Sequence, residues 1–110
     1  MGDSNKIIVG GLYASIDEDG RYRVLKVLVV DEFAVHLRSY ADRFDELPAG
    51  ITSSQLSLGG FGAAEGVGIG HFPVSRQGFR PDIRMLIGKE PVNYDELEGY
   101  RIWAGLDTVE

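Results

Sequence analysis

Cysteine is missing from this chain altogether, which excludes a disulfide framework, a thiol nucleophile and a thiolate metal site. Histidine is nearly as scarce. His36 and His71 are the only two, so acid–base chemistry near neutral pH has two candidate side chains. The longest apolar run, Val27 to Val30, falls far short of the roughly 20 residues that cross a bilayer. The opening MGDSNKIIVGG lacks the basic-then-apolar order of a secretory signal. Gly2 invites a myristoylation reading, but Lys6 stands where that motif needs Ser or Thr. These absences make a cytoplasmic location without membrane contact the expectation.

A basic excess is also lacking. Eleven Lys and Arg face 17 Asp and Glu, for a net charge of −6, and no basic stripe interleaved with aromatics is present, so nucleic-acid binding is disfavoured. The acid is concentrated at one end: Glu90, Asp95, Glu96, Glu98, Asp107 and Glu110 are opposed there only by Arg101, whereas Arg76, Arg80, Arg84 and Lys89 lie just before. Pairing of these cations with the acidic segment, or their solvation, is expected ahead of an anion site.

What the chain does have is the composition of one ordinary globular domain spanning residues 1–110, with 44% apolar and 25% charged residues. Residues 9–58 read as a β-meander. Val9 to Ile16 and Tyr22 to Val30 flank the turn Asp17, Glu18, Asp19, Gly20, whose side-chain acceptors and permissive glycine suit a hairpin. From Val24 to Val30 the second strand is apolar on both faces apart from Lys26, which places it at the centre of a sheet. After the turn at Asp31 and Glu32, the stretch Ala34 to Tyr40 alternates, with Val35 and Leu37 on one face and His36, Arg38 and Tyr40 on the other. Ala41 to Gly50 has loop chemistry, and Thr52 with Gln55 suits a capping box for a short helix, Ser53 to Leu56.

Residues 59–70, GGFGAAEGVGIG, hold six of the 15 glycines and fail each phosphate-binding fingerprint. Glu65 and His71 occupy the positions where the dinucleotide motif needs a small third residue. Gly88 and Lys89 are followed by Glu90 rather than Ser or Thr, and Ile83 replaces the first P-loop glycine. The run reads as a loop or a bulged edge strand. Ser75 to Arg80 forms a helical turn that must stop near Pro81, and Asp82 to Ile87 a further strand. The C-terminal helix is capped by Asn93 with Glu96 at the third position, puts Leu97, Tyr100, Trp103 and Ala104 on one face, and ends at Gly105.

Chemistry-bearing groupings are few. The Asp17, Asp19, Gly20 spacing fails as a calcium loop because Lys26 stands where the bidentate glutamate belongs. The serines Ser15, Ser39, Ser53, Ser54, Ser57 and Ser75 occupy no nucleophile elbow. His36 and His71 have no partner at motif spacing. No catalytic, cofactor or metal residue is therefore assigned, although His71, following the glycine run, keeps a small enzyme as an alternative. The candidate binding residues are His36, Arg38 and Tyr40 on one strand face, with Arg43 and Phe44 just beyond. Arginine and tyrosine contribute strongly at interfaces, and the plainer alternative is a solvated face with Tyr40 covering the core.

The order of short strand, acidic turn, long apolar strand, tight turn and third strand over residues 9–58 resembles Tudor-like small β-barrel modules. That resemblance implies a protein- or peptide-binding module, with Tyr13, Tyr22, Tyr40 and Phe44 as the rings available for an aromatic cage. The whole chain is similar to small bacterial proteins. The expected fold is α+β, a strongly bent antiparallel sheet or incomplete small barrel with a C-terminal helix. The expected function is non-enzymatic binding of a protein or peptide, with an acidic inhibitor or immunity protein acting on a basic toxin or enzyme as the alternative.

Overall fold

The computed structural model describes residues 7–59, 68–80 and 84–105. Its architecture is α+β: one five-stranded, wholly antiparallel sheet, bent but not closed into a barrel, with short helical segments on both faces. Strands β1 (Gly11–Ile16), β2 (Tyr22–Val30) and β3 (Val35–Phe44) form the meander. They are joined by β4 (Ile69–Val74) beside β3 and β5 (Met85–Lys89) beside β1, in the order β4-β3-β2-β1-β5. Register shifts between Leu12 and Tyr13, Arg23 and Leu25, Val27 and Val29, and Leu37 and Ser39 are the source of the bend, since an unpaired extra residue tightens local twist.

The first two turns form as the sequence implies. Gly20, at φ 85°, lets its amide return to the Asp17 carbonyl, and Asp31 Oδ1 accepts from the amides of Phe33 and Ala34. The limits of the strands differ from expectation. Val9 and Gly10 form a turn rather than the start of β1, because the Gly11 amide folds back onto the Ile8 carbonyl. β3 runs on through Arg43 and Phe44 into the expected loop, because those residues pair with Arg23 and Tyr22 and Arg43 Nε meets Asp17 Oδ2 at 2.7 Å. Most of the glycine run, residues 60–67, lies outside the described residues. Its end leads into β4, an edge strand in which Pro73 is tolerated. Asp82 and Ile83, expected to open a strand, also lie outside the described residues, and β5 extends two residues beyond the expected end at Ile87.

Both faces of the meander are covered. On one, Tyr13, Leu25, Val27, Val35 and Leu37 surround Phe79, the buried residue of helix α1 (Arg76–Phe79). Ser75 caps that helix by accepting from the Gly78 amide at 2.8 Å. The Tyr13 and Phe79 rings meet edge to face at 5.0 Å, and the Arg84 guanidinium lies 4.9 Å from the Phe79 centroid. On the other, Leu12, Val24 and Tyr40 pack under Ile51, Leu56 and Leu58. A 3-10 turn, Ser53–Gln55, crosses this face, with Gln55 reaching back to the Thr52 amide.

The C-terminal segment lies on the face of Lys26, His36 and Arg38. The single helix expected there is divided into a 3-10 turn, Tyr94–Leu97, and helix α2, Glu98–Trp103. Glu96 Oε1 accepts from the Asn93 amide at 2.8 Å as a capping box requires. Its carboxylate also reaches down to Lys26, and this tether accompanies the tighter first turn. Gly105, at φ 77°, ends the helix in the left-handed conformation expected of it.

Candidate functional site

The face of β2 and β3 beneath the C-terminal segment carries two adjoining polar clusters. The first centres on Lys26, which is fully buried on the central strand. Its Nζ donates to Glu90 Oε1 at 2.9 Å, to the Pro91 carbonyl at 2.9 Å, and to Glu96 Oε1 and Oε2 at 2.9 and 3.0 Å. An ammonium has three protons and here finds three acceptor groups, which is what its burial requires. Arg38, opposite Lys26 in the ladder, brings Nη1 within 3.9 Å of Glu96 Oε2 and donates from Nε to the Gly70 carbonyl at 3.1 Å. Glu90 is also bonded by the hydroxyl and the amide of Ser53. Burial alone would raise the Glu90 pKa, but the Ser53 hydroxyl, the Lys26 ammonium and the Ser53 amide together hold it below the usual carboxylate range. Tyr40 is buried beside this cluster. Desolvation first, and then the charge of Glu96, pushes its phenol up to about 12, and its hydroxyl has no hydrogen-bond partner among the described residues.

The second cluster is a chain of three side chains. His36, fully buried, meets Asp31 Oδ2 through Nε2 at 2.8 Å and His71 Nε2 through Nδ1 at 3.0 Å. The hydrogen bond from His36, followed by the amides of Phe33 and Ala34, lowers the Asp31 pKa. Burial, and then the proximity of His36, lowers that of His71. Tyr100 and Trp103 of α2 stand steeply inclined to the His36 ring, at centroid distances of 4.7 and 4.6 Å. Gly99 is the closest approach of the helix: a Cβ there would sit 2.6 Å from His71 Cβ. The glycine that weakens α2 as a helix is thus what lets it lie on His71.

These positions revise the expected binding face. The strand face predicted to be open to a partner is covered: His36 and Tyr40 are buried and Arg38 is largely so, because residues 51–58 and 90–103 lie over it. Arg38 and His36 share the surface under the C-terminal segment, whereas Arg43 is engaged by Asp17 and by the Ala41 and Asp42 carbonyls. Phe44 packs with the Leu12, Val24, Tyr40 core. No cage of Tyr13, Tyr22, Tyr40 and Phe44 forms, since Tyr13 belongs to the opposite core from Tyr40 and Phe44.

The partnership of the two histidines, 35 residues apart, has no local sequence signature. The clue was indirect: His36 on the polar face of the third strand, and His71 after a glycine run. Likewise Lys26 was legible only as the charge interrupting the apolar stretch from Val24 to Val30. Of the cations grouped before the acidic segment, Arg76 donates to the Asp31 carbonyl at 2.7 Å and Arg84 covers Phe79, while Lys26 and Arg38 reach Glu96.

A broad, open cleft of about 550 Å³ lies beyond Glu90, lined by Val9, Lys89, Glu90, Pro91 and Val92. His71 is not part of it. Among the described residues no group of three or more potential ligands is arranged for a metal ion, and no helix is long and apolar enough to cross a membrane. In the C-terminal segment Tyr94 is 69% exposed, under the Arg101 guanidinium at 3.8 Å, Ile102 46%, and Trp103 51% although its ring also packs on His36. Compared with family models, curated proteins and solved structures, the chain matches none.

Proposed function

We propose that this chain is a protein-binding module whose contact surface is the exposed part of α2, with Ile102 and the solvent-facing part of Trp103 as its apolar anchors. The observation that carries this reading is the pairing of half-exposed Trp103 and Ile102 with a six-residue helix tied down from beneath. Glu96 is clamped by Lys26, and Gly99 rests on His71. So short a helix has little stability of its own, yet its position is fixed, which is how a rigid aromatic anchor is presented to a partner at small entropic cost. His36 and Arg38 serve this surface from below rather than by touching the partner. Exposed Asp95 and Glu98 flank the ridge, and the net charge is −6. The fitting partner is therefore a protein with an apolar pocket and a basic rim, the chemistry of the acidic-inhibitor alternative.

The test places a photo-crosslinking residue at position 101, identifies the captured protein by mass spectrometry, and measures its affinity for purified variants. Ile102→Asp weakens binding at least tenfold, about 1.4 kcal/mol, with an unchanged melting temperature, whereas Arg43→Ala binds as the parent does. Equal affinity for Ile102→Asp and parent rejects the surface.

A second reading, a small enzyme using His71 as a base, takes support from the Asp31–His36–His71 chain, which polarises a histidine as acid–base catalysis requires. Against it, Nε2 of His71 is already committed to His36 and the large cleft excludes His71.

A further inference from the structure

The His36–His71 contact has a property that neither histidine has alone. The two ring planes lie within 10° of each other with centroids 5.2 Å apart, so the 3.0 Å bond joins them edge to edge. Only one hydrogen fits between the facing nitrogens. Asp31 accepts from Nε2 of His36, so a neutral His36 accepts at Nδ1 from the Nε2–H of His71. One added proton leaves the bond intact, because the ring that gains it still faces a partner carrying a lone pair. A second proton puts an N–H on each facing nitrogen and two positive charges side by side, and the contact must then open.

We infer that the His36–His71 pair is a proton-operated latch on α2, holding the helix to the sheet while one proton lies between the facing nitrogens and releasing it when both rings are protonated. Among the described residues, the groups that face the pair are Asp31 from the turn before β3, Arg76 of α1 through the Asp31 carbonyl, Arg38 of β3 through the Gly70 carbonyl, Tyr100 and Trp103 of α2, and Glu96 of the 3-10 turn. Glu96 is taken by Lys26 and Arg38, so among the described residues Asp31 is the anion that serves the pair. Gly99 against His71, and Tyr100 and Trp103 against His36, mean that parting the two rings disturbs α2 directly.

The direction of the pH dependence follows from His71, whose affinity for a proton is lowered by burial and by its neighbour. The released state binds protons more readily than the latched one. Attachment is therefore complete above the ordinary histidine value of 6.5 and weakens as the pH falls below it. Where this touches partner binding it rests on the surface proposed above, and acidity then loosens the anchors.

Hydrogen–deuterium exchange of the whole chain between pH 7.5 and 4.5, expressed as protection factors, tests the latch. The expected result is a fall of up to tenfold per pH unit below 6.5 in the α2 amides, while β2 stays protected. Emission of Trp103, the sole tryptophan and 4.6 Å from His36, changes over the same range. His71→Gln keeps a donor for His36 but takes no second proton, and its α2 protection is flat with pH. Should that variant fail to hold α2 at pH 7.5, Asp31→Asn decides: it removes the anion that favours protons on the pair, and release moves to lower pH. Parallel loss of α2 and β2 protection, a pH response retained in His71→Gln, or an unmoved midpoint in Asp31→Asn overturns the latch. Failure of the binding surface is separable: Ile102→Asp then leaves partner affinity intact whether or not α2 responds to pH.

Discussion

Lys26 is the residue on which the C-terminal half depends. An ammonium with no solvent contact, satisfied by Glu90, Glu96 and the Pro91 carbonyl, joins the central strand to residues 64 to 70 positions away. Removing one member of a buried ionic group leaves the others uncompensated, which costs about 3–5 kcal/mol. Lys26→Met is expected to lower stability by that amount in urea unfolding. The double variant with Glu96→Gln regains part of the loss, because one stranded carboxylate is gone; a double variant as unstable as the sum of the two singles contradicts the coupling. The sequence announced Lys26 only as an interruption of an apolar face. Its partners were out of reach because nothing local ties position 26 to positions 90 and 96. The five candidate binding residues illustrate the same limit: alternation placed His36, Arg38 and Tyr40 on one face correctly, but alternation cannot say that a distant segment covers that face.

The elements divide by how local their causes are. β1, β2 and the first part of β3 were legible because β-branched residues alternate between turns rich in Asp and Gly, and Ser75 before α1 and Gly105 after α2 mark helix ends by their own chemistry. β4 was hidden by its glycine and by Pro73, both poor strand formers that an edge position accepts. The overrun of β3 through Arg43 and Phe44 depends on Asp17, in the turn after β1. Gly10 joins two elements in one backbone contact: at φ 83°, it receives the Glu90 amide on its carbonyl and gives its own amide to Val27. A side chain there would be built in the left-handed region and inside the van der Waals surface of the Glu90 carbonyl oxygen. Gly10→Ala is expected to cost about 2–5 kcal/mol, from backbone strain and overpacking together. Faster proteolysis near β5 than in β2 would show which pairing gives way, and an unchanged melting temperature would count against the contact.

For the whole molecule, acid is the condition that strains both clusters at once. Asp31 is held below its usual range by His36 and the turn amides, and Glu90 by Ser53 and Lys26 against the opposing effect of burial. A carboxylate lowered on folding contributes stability that is fully present above its unfolded value, here 3.8 and 4.5, and is lost as the pH falls through the folded value. These two carboxylates leave the urea midpoint unchanged between pH 7 and 5, where the decline expected is the one from His71; below about pH 4 it should fall steeply, and fall less in Glu90→Gln, and a midpoint indifferent to pH 3 would show that these groups are not linked to folding. The crossing from β4 at one sheet edge to β5 at the other has a consequence for the chain as it is made. The meander leaves the ribosome first, with Lys26 already set into an apolar strand, and Glu96 follows about 50 residues later, some 3–10 s at 5–20 residues per second. For that interval the half-made protein carries a cation without its anions and a sheet with one face uncovered, which makes this the stage at which a chaperone would find it.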